Sequence, residues 1–129
     1  MKQTLFVAFA TLCALIGATA LSAADPGTVF AHNVFFTLKD KSPAAQDQLV
    51  AACHKYLKNQ KGVVSFYAGK RAPESQRDVN DLGFEVSLHI VFKTAADQSA
   101  YQKDAQHQKF IDENNSNWEK VRVFDSYVK

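Results

Sequence analysis

Apolar and polar positions alternate along residues 30–38. Phe30, His32, Val34, Phe36 and Leu38 share one side, and Ala31, Asn33, Phe35 and Thr37 share the other. This period of two predicts a β-strand, and a phenylalanine on each side predicts burial of both faces. The period then changes. Ala45, Leu49, Cys53, Tyr56 and Leu57 recur at helical spacing, while Lys55 and Lys58 fall off that stripe. Ser42 is placed to cap the first turn, Pro43 suits the first helical position, and Gly62 supplies a left-handed stop. A helix over about 43–60 follows.

Val63 to Arg71 is β-branched and aromatic, which predicts a second strand. Residues 72–82 are polar and form a loop. Gly83 to Phe92 predicts a third strand, with Phe84, Val86, Leu88, Ile90 and Phe92 on one face and Glu85, Ser87, His89 and Val91 on the other. Thr94 can cap a helical segment over 95–102 that breaks near Asp104 and resumes over 106–114. Val121 to Val128 alternates again as a fourth strand.

The order βαββαβ predicts an α+β, ferredoxin-like domain, with a four-stranded antiparallel sheet carrying its helices on one face. The helices then leave Phe35, Val91 and Phe124 on the other face with nothing in the same chain to bury them. An uncovered apolar face of that kind predicts a homodimer in which two sheets meet, a dimeric α/β barrel.

The first two dozen residues follow different rules. Lys2 precedes an uncharged apolar run, Thr4 to Ala20, that closes on Ala18-Thr19-Ala20 and Ser22-Ala23-Ala24, with Asp25 the first acid. This is the order of a secretory signal peptide over residues 1–24, cleaved after Ala20 or Ala24. The run falls short of the ~20 apolar residues of a membrane span. The expected product is exported, periplasmic or secreted, with no stable membrane association after cleavage.

Composition changes little in this picture. The 129 residues are 47% hydrophobic and 22% charged, which excludes a disordered chain. Losing Lys2 with the leader leaves fourteen of the fifteen Lys+Arg against thirteen Asp+Glu. No basic stretch remains that would bind nucleic acid. Cys13 leaves too, so Cys53 alone cannot form an internal disulfide.

Candidate chemistry is sparse. His32 faces the helices, as a satisfied core histidine or a pocket ligand. Leu49, Val50, Cys53, Leu88, Ile90, Val121 and Val123, with Val34, face inward as core or as the lining of a small apolar pocket. Cys53 reads as a buried hydrophobe, and neighbouring His54 points about 100° away from it. His89 belongs to the presumed dimer face. No phosphate loop, nucleophile elbow or metal motif is present, and no cofactor or metal is expected.

Several short matches, in order, resemble a known family. His32-Asn-Val-Phe-Phe-Thr-Leu38, Gly62-Val63, Gly69-Lys70, Tyr101, Ala105-Gln-His-Gln-Lys-Phe110 and Trp118-Glu119 resemble the stress-responsive A/B barrel, or Dabb, domain over residues 30–128. The family usually carries His-Pro where this chain has Asp104-Ala105. The resemblance implies a dimeric barrel with a pocket and, in many members, no assigned reaction. One plant member is similar to a polyketide cyclase that uses a histidine and a tyrosine. The matching positions here are His107 and Tyr101, with His32 as a further pocket histidine. Two functions follow: a small-molecule-binding barrel without a reaction, or a cofactor-free cyclase, lyase or oxygenase moving a proton through that pair. A bland role for His107 is to cap the second helical piece.

Overall fold

A computed structural model describes residues 25–129. The expected leader and its cleavage sites lie outside those residues. The chain runs β1 (Val29–Leu38), α1 (Pro43–Tyr56), β2 (Val63–Lys70), β3 (Val86–Phe92), α2 (Ala95–Tyr101), α3 (Ala105–Asn114), a short 3-10 turn (Asn115–Asn117) and β4 (Trp118–Val128). All four strands pair antiparallel in the order β2-β3-β1-β4, the ferredoxin-like arrangement.

Local chemistry accounts for the helix ends. The Ser42 hydroxyl accepts from the Ala45 N–H at 3.3 Å, and Pro43 opens α1. The helix stops at Tyr56, earlier than residue 60, since the backbone turns towards Gly62 at φ +81°. A Cβ on Gly62 would lie 2.4 Å from the Asp97 side chain. Asp97 is itself held by the Thr94 cap of α2, so strand β2 and helix α2 meet too closely for any other residue.

The helices cover one face of the sheet. Phe36, Leu38, Leu57, Val86, Leu88, Ile90 and Phe92 are fully buried there, with Leu49, Cys53, Tyr101 and Phe110 packed around them. Each large apolar side chain so buried contributes about 1.5–3 kcal/mol.

The opposite face carries Phe35, Val91 and Phe124 as expected. Phe35 meets Phe124 at 5.8 Å and His89 at 5.7 Å between ring centroids. No element among the described residues covers these rings, and Phe124 is 54% exposed.

Two strand boundaries differ from the pattern. Strand β3 begins at Val86 rather than Gly83. The Glu85 carboxylate accepts the Leu38 N–H at 2.8 Å and pairs with Lys41. The irregular backbone before Val86 resets the alternation, so Phe84 packs on Phe35, 4.9 Å away, instead of joining the core. Strand β4 begins at Trp118 rather than Val121, paired to Leu38 across a register shift.

Candidate functional site

The site lies between the sheet and the α2–α3 break. Helix α2 ends at Tyr101, and the Lys103 and Asp104 N–H groups close tight turns on Ala100 and Tyr101 carbonyls. Asp104 then starts α3, its carboxylate accepting the Gln106 N–H at 2.7 Å. His107 therefore sits in the first turn of α3. Asp104 takes the capping role, which leaves the His107 ring free of it.

The break folds His107 back over Tyr101, with ring centroids 4.4 Å apart. The His107 Nδ1 lies 3.4 Å from the Gln102 carbonyl oxygen. Tyr101 is buried and its ring stands 6.0 Å from that of His32. The three residues matched by the resemblance thus form one cluster.

His32 has a partner that the alternation alone did not single out. Register pairs His32 with Asp125 across β1 and β4, which puts both on the helix-facing side. His32 Nδ1 lies 2.6 Å from Asp125 Oδ1. His32 is 3% exposed, whereas the Asp125 side chain is 40% exposed. The carboxylate is the only anion hydrogen-bonded to the ring among the described residues. A carboxylate only accepts, so Nδ1 carries a proton towards it and Nε2 is the ring nitrogen left for other partners.

These groups border a cavity of about 180 Å³. Its polar end is His32, Tyr101, Gln102 and His107. Its apolar end is Val34, Phe36, Leu88, Phe110, Ile111, Trp118, Val121 and Val123. Phe36, Phe110 and Trp118 form an aromatic wall, with centroids 5.0–6.2 Å apart. The mouth opens over the edge strand β4, where Val121 and Val123 are 39% and 50% exposed. An apolar cavity of about 150 Å³ holds benzene, so this one accommodates a small organic molecule.

Electrostatics assigns proton states. Burial lowers the His107 pKa from its ordinary value, an effect partly offset by the Gln102 carbonyl and reinforced by neighbouring His32. Burial raises the Tyr101 pKa far above the phenol range. At neutral pH the site therefore holds a neutral His107 imidazole and a phenol that can only donate or accept a hydrogen bond.

Of the expected lining, Val34, Leu88, Val121 and Val123 reach the cavity. Leu49, Val50, Cys53 and Ile90 do not. Cys53 and Ile90 are sealed in the core, and Val50 packs against it. Leu49 faces a separate hollow of about 70 Å³ on the far side of Trp118. Helix α1 packs its apolar stripe against the sheet, so most of that stripe is consumed by packing, and the cavity opens instead at the α2–α3 break. Burial pushes the Cys53 thiol up to about 12, an inert state. His54 stacks edge-on to Phe66 at 5.2 Å, away from Cys53. Phe36, Phe110, Ile111, Trp118 and Gln102 line the cavity and Asp125 binds His32, none of them singled out by the sequence pattern. Asp125 was the most legible of these, because it follows Val121 and Val123 at the same period of two.

Among the described residues no group of three or more His, Cys, Asp or Glu side chains could hold a metal ion. No described helix is long and apolar enough to cross a membrane.

Comparison with known proteins agrees with this architecture. The Stress responsive A/B Barrel Domain matches residues 30–128. No curated protein sequence matches the chain. A Dabb family protein with a ferredoxin-like fold from Mesorhizobium loti is 22% identical over 77% of this chain and 95% of its own, with a TM-score of 0.63. The hydroxynitrile lyase of Passiflora edulis is 20% identical over 81% of this chain and 96% of its own, with a TM-score of 0.65. A dimeric ferredoxin-like protein of unknown function from Thermobifida fusca is 12% identical over 80% and 93%, with a TM-score of 0.64. At these identities the likeness is one of fold.

Proposed function

The chain belongs to the stress-responsive A/B barrel (Dabb) domain family, and on that premise we propose that it is an exported homodimer that binds a small, mainly apolar molecule and moves a proton on it without a cofactor. The observation that carries the proposal is the convergence of His32, Tyr101 and His107 on one cavity of about 180 Å³, with Asp125 bound to His32 from outside its lining.

Each group has a distinct task. Asp125 holds the His32 Nδ1–H, which presents Nε2 as the proton acceptor. Neutral His107 supplies a second acceptor at the mouth. Tyr101 keeps its proton and donates a hydrogen bond to an oxygen on which negative charge develops. The aromatic wall excludes water and positions the apolar body of the ligand. A reaction that fits is abstraction of a proton from a hydroxyl, or from carbon next to a carbonyl, as a lyase or cyclase step requires. The passion-fruit hydroxynitrile lyase, similar in fold, supports the lyase class. Binding without turnover is the second reading, favoured by a lining that is mostly apolar.

Export rests on the charge and apolar pattern of residues 1–24. The homodimer rests on the uncovered rings of the outer sheet face and on the dimeric neighbour.

Proton exchange tests the reaction. Small hydroxynitriles and enolisable ketones are incubated with the protein in D₂O, and exchange or cleavage is followed by NMR. Turnover above buffer that falls about 10²–10⁴-fold in His107→Ala supports the proposal. Exchange at the buffer rate, together with unchanged ligand affinity in His107→Ala, overturns it in favour of a binding module.

A further inference from the structure

The outer sheet face contains one half-buried imidazole that the site chemistry does not use. His89 projects from β3 on the side away from the helices, opposite Asn33 on β1 and Tyr67 on β2. Its Nδ1 lies 2.8 Å from the Asn33 Oδ1. The Asn33 amide nitrogen donates to the Phe124 carbonyl, so Oδ1 is an acceptor and His89 Nδ1 must carry a proton. Phe35 packs edge-on against the ring at 5.7 Å. The neutral ring thereby borders an aromatic patch centred on Phe35, which also meets Phe84 and Phe124, with Tyr67 68% exposed on the neighbouring strand.

The charges around it offer no neutralising partner. Strand β1 contributes Asn33 and Phe35, both uncharged, and β2 contributes the Tyr67 phenol. On β4, register places Arg122 and Lys120 on the same side. Arg122 is bound to Asp81 of the β2–β3 loop, so that carboxylate is already engaged. A second proton on His89 would create a half-buried cation with no carboxylate hydrogen-bonded to it.

We infer that this face is an acid-sensitive interface between two copies of the chain, in which neutral His89 permits association and protonated His89 opposes it. The inference rests on the homodimer proposed above. Covering the face with a second sheet would remove the remaining water from His89, so charging it would disfavour the dimer more than the monomer. Burial within a single copy already lowers the pKa of this histidine. An exported protein meets the pH of its surroundings, and such a dimer would report it.

Sedimentation equilibrium of the mature chain at pH 8 and pH 5.5, with far-UV circular dichroism at both, tests the inference. The expected result is a dimer at pH 8 whose dissociation constant rises at least tenfold at pH 5.5 with the helix signal intact. His89→Gln, which keeps a donor for Asn33, and His89→Phe, which keeps the apolar face, should associate equally at both pH values. A wild-type monomer at pH 8 overturns the homodimer itself. A dimer equally tight at both pH values overturns only the acid sensitivity. So does a weakening that persists in both variants, or one that accompanies loss of helix.

Discussion

The two faces of the sheet are built from the same strands and the same alternation, yet they have opposite fates. On the helix side, Phe36 is 2% exposed and Phe92 is fully buried. One residue along β1, Phe35 packs on the other side with Phe84, His89 and Phe124, and Phe124 remains 54% exposed. The inner face is a packed core bordered by the cavity at Tyr101 and His107. The outer face is an aromatic surface without a cover among the described residues. Similar side chains therefore build a core on one side and an uncovered surface on the other, and what separates them is the helix layer.

Truncating a ring on each side gives the sharpest test of that contrast. Phe36→Ala opens a cavity in the core and should cost about 3–5 kcal/mol, read from the urea midpoint. Phe124→Ala on the outer face should shift the midpoint of the isolated chain far less. Equal losses would erase the distinction between the faces. Phe35→Asp comes next. It leaves the core intact but sets a charge among the outer rings, and it should yield folded monomer by light scattering while wild type is dimeric. A Phe35→Asp dimer as tight as wild type would place the interface elsewhere.

Smaller effects separate the site from the core around it. Asp125→Ala leaves the Nδ1 of buried His32 without its acceptor and should cost about 1–3 kcal/mol of stability. Rescue of ligand affinity by Asp125→Asn but not Asp125→Ala would assign the residue to ring orientation. A variant as stable and as competent as wild type removes it from the site. The smallest effect is the pH dependence. The folded pKa of His107 lies below its ordinary value of 6.5, so the unfolded chain binds the proton more readily. Stability is complete above about pH 6.5 and is lost as the pH falls towards the folded value. His89 shifts with the same sign. Melting temperatures from pH 8 to pH 5 should decline for wild type and decline less for His107→Ala. A flat profile for wild type would show that neither ring is held neutral.

Much of the fold is legible in the sequence. The period-two runs around Val34 and Leu88 located β1 and β3, and Ser42-Pro43 located the start of α1. The errors fell where a side chain overrode the period. Glu85 binds the Leu38 N–H and ends the alternation, which sends Phe84 to the outer face. The site was legible in its residue types but not in its walls. Leu49, Val50, Cys53 and Ile90 have the inward, apolar character of a lining, and pattern cannot distinguish a filled space from an empty one.

By itself the sequence determined the element order, the two faces of β1 and the start of α1. Those depend on local periods, caps and backbone propensities, which act over a few residues. The tertiary structure alone decided that Asp125 holds His32, 93 positions away, and that Phe110 and Trp118 rather than Leu49 and Cys53 border the cavity. Register between distant strands and the angle at which a helix settles on a sheet are set by packing of the whole core. A short window of sequence carries the pieces of that packing but not their fit.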